Sequence, residues 1–306
     1  MKYSLVIPVK NDVRVINTID SFLNATHTDF SECIVVCNGS NDNLVNQLVS
    51  RYHKQNNIRI LITVRSNISL ARNVGILAAK GDYIVFIDSD CVFDSKYFEN
   101  LNNILNNQDA VVGKLNYDVG NTVFDKNYAW MRDYFGTNYS AQLYTPNLVV
   151  KKSVFDIVGL YNEELSGSED TEWSQRFYEH PQLKAEYSTS LSVTPGIDDP
   201  NKSHKNWILY GLGQAYRAKK VVLLNNQTLL TSLLRPFSEL SLIKISHPLS
   251  RNLFVIDYDF RKSIGFFYGW FFKWRKYNKL KYNEVDNYYK SRDYELKVLH
   301  SAKIVS

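Results

Sequence analysis

The sequence predicts an α/β fold in which a mostly parallel sheet carries helices on both faces. In the N-terminal part of the chain, short and continuous apolar runs of the buried-strand type alternate with helix-like stretches. Such alternation requires crossover connections between parallel strands. The apolar runs lie at residues 3–9, 33–37, 58–64 and 83–87, and the helix-like stretches at residues 13–23, 43–52 and 70–79.

After residue 93 the pattern becomes mixed. Residues 97–105 are helix-like, and residues 110–115 and 148–150 are strand-like, which indicates an α+β continuation of the same domain. Past residue 220 the alternation stops and the sequence becomes aromatic and basic, so the boundary of the first domain is placed there. The glycines of Tyr210-Gly211-Leu212-Gly213-Gln214 lack the rest of a dinucleotide fingerprint and predict close helix packing.

Composition excludes several classes of protein. The 306 residues are 44% hydrophobic and 22% charged, which is typical of a globular chain rather than a disordered, collagen-like or coiled-coil one. A net charge of +5 is too small to predict nucleic-acid binding. Three cysteines without a C-x-x-C pair argue against a disulfide scaffold or a zinc site and favour a reducing cytosol. The first apolar run is too short for a signal peptide, and no run reaches the ~20 apolar residues of a membrane span.

Polar residues follow each of the four predicted strands. In sheets of this kind, ligands bind beyond the carboxyl ends of the strands. Any one of these exits is also typical of a turn or a helix cap, but four at one edge favour a binding site. The exits are Lys10-Asn11-Asp12, Asn38-Gly39-Ser40-Asn41-Asp42, Arg65 and Asp88-Ser89-Asp90.

Asp88 and Asp90 emerge from a buried apolar strand, where unpaired carboxylates are unfavourable. A hard divalent cation, Mg²⁺ or Mn²⁺, would compensate them and would also bind a diphosphate. D-x-D alone also occurs as a turn. Arg72, on the third helix-like stretch, is placed to bring a guanidinium to a phosphate or a base, although a solvated surface arginine is the alternative.

A second acidic segment, Ser168-Glu169-Asp170-Thr171-Glu172-Trp173, begins a helix-like stretch. Two interpretations stay open here. Ser168 is a suitable N-cap, and acidic residues in the first turn stabilise the helix dipole. Alternatively, one carboxylate faces the crevice as a general base for a sugar hydroxyl.

Residues 261–281 contain seven basic residues and no acidic one, around the aromatic block 264–272. Such a segment suits a peripheral contact with an anionic membrane surface. A core helix with a solvated basic flank explains it equally well, and base stacking on a nucleic acid explains it less well.

Five ordered blocks together resemble glycosyltransferase family 2 enzymes of the GT-A fold, over about the first 180 residues. The family is specified by these blocks, whereas the substrate is not. They are residues 5–12 (LVIPVKND), 34–42 (IVVCNGSND), 69–75 (SLARNVG), 81–90 (GDYIVFIDSD) and 158–164 (VGLYNEE), the last leading into Glu169-Asp170.

The resemblance implies a GT-A, Rossmann-like catalytic domain over 1–220, with a nucleotide-binding half (1–92) and an acceptor half (93–220). The composition of residues 221–306 predicts a helical region, for which membrane contact and core packing both stay open. It implies a nucleotide-sugar donor, most often a UDP-sugar, with Mn²⁺ or Mg²⁺ as cofactor. Asp170 would be the base of an inverting single displacement, and Asp90 and Asp88 the metal ligands. The donor and its diphosphate would be bound by Pro8, Val9, Asn11, Asp12, Asn38, Arg72, Asp88, Ser89 and Asp90.

The sequence departs from the family pattern at two positions. Cys37-Asn38 stands where paired Asp residues are common, and Pro195 stands where many relatives carry a His, so His204 is a substitute candidate for a metal ligand. Gln175-Arg176-Phe177 does not match the Q-x-x-R-W of processive synthases, which favours transfer of one sugar.

We therefore expect a metal-dependent glycosyltransferase that acts on a saccharide or lipid-linked saccharide during surface polysaccharide synthesis. It would work in the cytoplasm, with a peripheral position on the membrane as an option and no nucleic-acid partner. A sugar-phosphate nucleotidyltransferase and a non-catalytic saccharide- or membrane-binding protein are the alternatives.

Overall fold

A computed structural model describes residues 2–25, 30–63, 65–105, 108–138, 142–165, 167–225 and 229–305. Within these ranges nine strands form one sheet in the order β5-β8-β6-β7-β4-β1-β2-β3-β9. Residue 64, the last of the predicted third strand, lies outside the described residues. The strands are β1 (Tyr3–Val9), β2 (Phe30–Asn38), β3 (Ile58–Thr63), β4 (Tyr83–Ile87), β5 (Cys91–Phe93), β6 (Ala110–Leu115), β7 (Asn147–Lys151), β8 (Ala185–Pro195) and β9 (Ala302–Ile304).

The strand directions confirm the prediction of a mostly parallel sheet. Strands β1 to β4 pair in parallel through β4-β1-β2-β3. Strand β7 runs antiparallel between β4 and β6, β6 and β8 are parallel, and β5 and β9 are antiparallel additions at the two edges. Only β5, β7 and β9 therefore oppose the direction of the other described strands.

Helices cover both faces of the sheet, as expected for buried parallel strands. Alternate residues of β1 point to opposite faces: Leu5 and Ile7 contribute to one apolar core, and Val6 to the other. The helices are α1 (Val15–Ala25), α2 (Asp42–Tyr52), α3 (Ile68–Ala78), α4 (Tyr97–Ile104), α5 (Val123–Asn138), α6 (Val154–Val158), α7 (Glu169–Tyr178), α8 (Pro200–Asn225), α9 (Leu229–Leu234), α10 (Leu249–Tyr268), α11 (Lys279–Tyr288) and α12 (Arg292–His300).

Two glycines of α8 let neighbouring segments approach closely, which confirms the predicted helix packing. A Cβ on Gly211 would lie 1.8 Å from the carbonyl oxygen of Lys262 on α10. A Cβ on Gly213 would lie 2.3 Å from the carbonyl oxygen of Gly167, just before α7. Helix α8 is thus fixed between α7 and α10.

The C-terminal region packs on the sheet domain. The predicted boundary at residue 220 falls inside α8, and β9 extends the sheet by pairing with β3. The predicted aromatic and basic segment is divided between core and surface, since Phe266 is fully buried and Phe272 is 71% exposed. Among the described residues, no helix has the length and the hydropathy that a membrane crossing requires.

Candidate active site

A cavity of about 550 Å³ lies at the carboxyl ends of β1, β2 and β4. This is the edge at which a parallel sheet offers its strand exits. Asn11 is not among the lining residues; its side-chain carbonyl accepts a hydrogen bond from the Asn41 amide at 2.8 Å. The predicted residues that line the cavity are Pro8, Val9, Asp12, Asn38, Arg72, Asp88, Ser89, Asp90 and Asp170.

Arg72 on α3 joins two acidic segments that are distant in sequence. Its Nη2 lies 3.1 Å from Asp88 Oδ1, and its Nη1 forms an ion pair with Glu169 at the start of α7. Arg72 and Glu169 are both buried. Burial alone would lower the pKa of Arg72, but the carboxylates of Glu169 and Asp88 raise it above its ordinary value. Arg72 is therefore a charged, fixed group rather than the solvated surface residue of the alternative interpretation.

Arg14, just before α1, contacts three carboxylates through a single nitrogen. Its Nη2 lies 2.6 Å from Asp12 Oδ2, 3.1 Å from Asp90 Oδ2 and 3.2 Å from Asp198 Oδ1. Lys202 adds a second positive charge 2.7 Å from Asp198. Burial would raise the pKa of Asp12, but the hydrogen bonds and charge of Arg14 lower it below the ordinary value.

The carboxylates of the D-x-D segment remain only partly neutralised. Burial, followed by the charge of Asp88, raises the pKa of Asp90 to about 6. Burial also raises the pKa of Asp88, against the lowering effect of Arg72. Oxygen donors that lack full compensation suit Mg²⁺ or Mn²⁺, which commonly bind one or two carboxylates together with substrate phosphates. In the described ranges, no three or more His, Cys, Asp or Glu residues form a group that could hold a metal. The pair therefore fits an ion shared with a diphosphate.

Asp170 lies in the first turn of α7 and faces the cavity. Its Oδ1 accepts hydrogen bonds from Thr171, at 2.7 Å from the amide and 3.3 Å from the hydroxyl. Ser168 has a left-handed backbone (φ 62°) and makes no side-chain cap; its hydroxyl donates to the Tyr210 carbonyl at 3.4 Å. The predicted cap by Ser168 is therefore wrong, because the close contact with α8 sets its conformation.

Asn38 lines the cavity at the end of β2, but its side-chain oxygen is already bonded. The oxygen accepts a hydrogen bond of 2.6 Å from the amide of Asn67, the N-cap of α3. From the sequence, Asn38 is predicted among the residues that would bind the donor, at a position where relatives commonly carry an Asp. In this chain the oxygen also fixes the start of the helix that carries Arg72.

Pro195, at the end of β8, lines the cavity where a His was expected from the family pattern. His204 is not among the lining residues. Its ring packs against Trp207 and Phe124, and its Nε2 lies 3.4 Å from Asp257. Burial, followed by the charge of Arg261, lowers the pKa of His204. This is the environment of a structural histidine.

Several residues that line the cavity were not predicted from the sequence. Asp198 follows the carboxyl end of β8. The rule applied to the first four strand ends would have predicted it as well. Arg132 on α5 and Arg217 on α8 carried no signal in the sequence, because their places depend on how distant helices pack. Among the overlooked residues that line the cavity are Tyr117, Tyr128, Arg132, Asp198, Lys202, Tyr210, Arg217 and Tyr258.

A family model described as Glycosyl transferase family 2 matches residues 4–158, a little more than half of the chain. Among curated proteins, the poly(ribitol-phosphate) beta-N-acetylglucosaminyltransferase TarP of Staphylococcus aureus (strain N315) is 30% identical over 166 residues, which cover 51% of this chain and 50% of TarP. An uncharacterized glycosyltransferase of Rickettsia bellii (strain RML369-C) is 38% identical over 93 residues, covering 30% of this chain and 13% of that protein. The chain thus matches at most half the length of these two relatives.

Solved structures of S. aureus TarS have a similar fold. TarS 1-349 in complex with UDP-GlcNAc matches with a TM-score of 0.55 and 16% identity, covering 98% of this chain and 91% of that chain. A longer TarS structure matches with a TM-score of 0.52 and 14% identity, covering 88% of this chain and 55% of that chain. At such low identity the likeness is evidence about the fold, and it confirms the predicted α/β class.

Proposed function

The chain belongs to glycosyltransferase family 2, and we propose that this glycosyltransferase moves one sugar from a UDP-sugar to a saccharide or lipid-linked saccharide, with inversion at the anomeric carbon. One observation carries the proposal: a single cavity brings the D-x-D carboxylates, Arg72 and Asp170 together. The UDP-GlcNAc complex of a protein with the same fold supports the choice of nucleotide. This supports glycosyl transfer over the nucleotidyltransferase and the non-catalytic alternatives.

We name the donor edge as the carboxyl ends of β1, β2 and β4 together with Arg14 and Arg72. In the proposal, Pro8 and Asn38 contact the nucleotide, and Asp90, with Asp88, would hold a divalent ion. When bound, such an ion neutralises charge on the leaving group. Arg72 and Arg14 keep the two carboxylates in place.

Asp170 is the proposed general base. Its carboxylate takes the proton of an acceptor hydroxyl, and the hydroxyl oxygen then bonds to the anomeric carbon. The bond between that carbon and the diphosphate breaks in the same step, and UDP leaves with the electron pair. A base for this step must lie within hydrogen-bond reach of the attacking hydroxyl. Among the described residues, none donates to Oδ2 of Asp170, which leaves that oxygen available for the proton.

A donor screen that measures released nucleoside diphosphate tests the proposal. UDP-sugars with Mn²⁺ or Mg²⁺ should give the highest turnover, and chelation of the ion should abolish it reversibly. Asp90→Ala should lower turnover by about 10²-fold or more, the usual effect of losing a group that stabilises developing charge. Asp94→Asn, an exposed carboxylate just beyond the motif, is the control and should change nothing. Full metal-dependent turnover in Asp90→Ala would contradict the metal role.

We further propose that the chain binds an anionic membrane surface through an exposed apolar stripe on α10. The stripe consists of Leu249, Leu253, Ile256, Phe260 and Ile264, each 46–73% exposed. Their spacing of three and four residues places them on one helix face. The opposite face includes Tyr258 and Lys262, which line the cavity. A membrane bound to the stripe would therefore lie one helix away from the site.

Charge supports a membrane as the occupant of the stripe. Residues 229–281 hold ten Lys and Arg against three Asp and Glu, an excess larger than the +5 of the whole chain. Basic side chains beside exposed apolar ones bind anionic lipid headgroups, each contributing about 1 kcal/mol. A lipid-linked acceptor would then be presented near the cavity.

Vesicle flotation tests this part of the proposal. The full chain should float with vesicles that contain phosphatidylserine and less with phosphatidylcholine alone. The double variant Leu253→Ser, Phe260→Ser should lose flotation, whereas Ile157→Ser, at an exposed position of α6, should not. Equal flotation of all variants would refute the stripe, as would a dimer in lipid-free solution that the double variant abolishes.

A further inference from the structure

Arg217 on α8 differs from the other arginines that line, or lie beside, the cavity of about 550 Å³ described above, which we call the main cavity. Arg14 and Arg72 form ion pairs with carboxylates, and Arg132 donates to the hydroxyl of Tyr117 at 3.1 Å. In the part of the chain that the structure describes, no side chain forms an ion pair or hydrogen bond with the half-buried Arg217. Its guanidinium nitrogens remain accessible to solvent, so an anionic ligand that enters the cavity can pair with them without breaking an existing ion pair.

The backbone around Arg217 is fixed. One turn earlier, Gly213 packs against the carbonyl of Gly167, and the side chain of Gln214 donates to the carbonyl of Arg235 at 3.1 Å. These contacts tie α8 to the segment before α7 and to the segment after α9. Arg217 therefore projects from a positioned helix rather than from a loop.

Arg217 lies where the main cavity meets a second cavity of about 540 Å³ between α7 and α8, which we call the α7–α8 groove. The two cavities share Gln142, Thr171, Gln214 and Arg217. Asp170 lies in the main cavity close enough to raise the pKa of Arg217, although burial has the larger effect and lowers it. A ligand bound at Asp170 and extending into the groove would therefore lie beside Arg217.

The groove is suited to a phosphate. Arg235 also lines it, and its charge lowers the pKa of Arg217 further, so two guanidinium groups lie near each other. One guanidinium group can bind two phosphate oxygens at once, and a second positive charge nearby adds to the attraction for an anion. Thr171, Ser174 and Gln175 add neutral hydrogen-bonding groups to the same walls. Glu179, at the exposed side, is the one carboxylate among the described residues that line the groove.

We infer that the α7–α8 groove is an acceptor subsite for a phosphate group, held by Arg217 next to the hydroxyl that Asp170 deprotonates. The inference rests on the proposed function and narrows it, because it makes the acceptor a phosphate-bearing molecule rather than a neutral saccharide. The phosphate belongs either to a water-soluble polymer or to a lipid diphosphate, which offer the same chemistry to Arg217.

Binding of inorganic phosphate to the full chain saturated with UDP tests the subsite. With UDP on the donor edge, ³¹P line broadening reports only the remaining phosphate site. Arg217→Gln should weaken phosphate binding by at least tenfold, and Arg217→Lys, which keeps the charge, should weaken it less. Lys205→Gln removes an exposed cation from the same helix and should leave binding unchanged. Absence of phosphate binding in the wild type, or equal binding by Arg217→Gln, would overturn the inference.

Competition identifies the source of the phosphate. A phosphodiester-linked glycerol oligomer that displaces inorganic phosphate would indicate a polymer acceptor. A polyprenyl diphosphate in detergent micelles that does so would indicate a lipid-linked one, and displacement by neither would count against the subsite. UDP binding is measured in the same samples. A chain that fails to bind UDP contradicts the proposed function, whereas a UDP-bound chain without a phosphate site contradicts only this inference.

Discussion

The donor edge and the α7–α8 groove differ in whether their arginines are paired with carboxylates. At the donor edge, Arg72 contacts Asp88 and Glu169, and Arg14 contacts three carboxylates. In the groove, Arg217 makes neither a hydrogen bond nor an ion pair with any described residue. The arginines of the donor edge are paired before a ligand arrives, whereas the arginine of the groove is paired by the ligand.

This difference indicates which region keeps a fixed geometry in the absence of a ligand. Charges that are already paired hold their geometry without a ligand, which is the condition for stabilising a leaving group without reorganisation. An unpaired charge contributes little to the stability of the free protein but much to binding of the right anion. Mutations at the donor edge are therefore expected to lower the stability of the protein. Mutations in the groove are expected to weaken acceptor binding.

The sharpest test compares Arg72→Met with Arg217→Met in urea unfolding. Arg72→Met leaves buried Glu169 without its partner, and breaking a buried ion pair lowers the free energy of unfolding by about 3–5 kcal/mol. Arg217→Met removes a charge that forms no ion pair with a described carboxylate, so the change should be within about 1 kcal/mol of zero.

The double variant Arg72→Met, Glu169→Gln serves as the control for this comparison. Removing both charges should recover part of the loss, because the buried carboxylate is no longer uncompensated. Equal destabilisation by Arg72→Met and Arg217→Met would abolish the contrast between the two regions.

The next largest effect is expected at Asp170, which lies between the two regions. Asp170→Asn keeps the shape of the side chain but removes the proton acceptor, so sugar transfer should fall by about 10²-fold or more. UDP affinity, measured by calorimetry, should stay at the wild-type value, because Asp170 acts on the acceptor. Asp156→Asn, on the exposed surface of α6, is the matched control. A parallel loss of UDP affinity would indicate that Asp170 acts on the donor rather than on the acceptor.

The parallel part of the fold could be predicted from sequence because its strands are buried on both faces. A strand of this kind is a continuous apolar run, and residues 3–9, 83–87 and 110–115 were predicted with the bounds that the structure has. The strand exits also converge, since parallel strands end at one edge. The clustering of Asp88, Asp90 and Asp170 follows from that topology and from the family resemblance.

The pairing of charges could not be predicted in the same way. Arg14, Asp12 and Asp198 meet only because β8 ends beside α1, and that placement depends on contacts between residues far apart in the chain. The aromatic segment near residue 270 was ambiguous for a similar reason. One helix face of that segment packs on the core and the other faces solvent, and composition does not distinguish them.

The smallest of these effects tests how the end of the chain supports the donor edge. The hydroxyl of Tyr294 on α12 donates to Glu163 Oε1 at 2.6 Å and accepts from Asn73 Nδ2, on α3, at 2.8 Å. Asn73 follows Arg72, and the carbonyl of Glu163 accepts from Asn67, the N-cap of α3.

Tyr294→Phe should therefore lower the free energy of unfolding by about 1.5–3 kcal/mol, the contribution of a hydrogen bond to a charged group. Tyr288→Phe, whose hydroxyl makes no hydrogen bond with a described residue, should be neutral and serves as the control. Because Arg65 still pairs with Glu163 and Asn73 still donates to the Tyr161 carbonyl, the loss should stay below that of Arg72→Met. A loss as large as that of Arg72→Met would mean that the C-terminal helix, and not the ion pair, holds α3 in place.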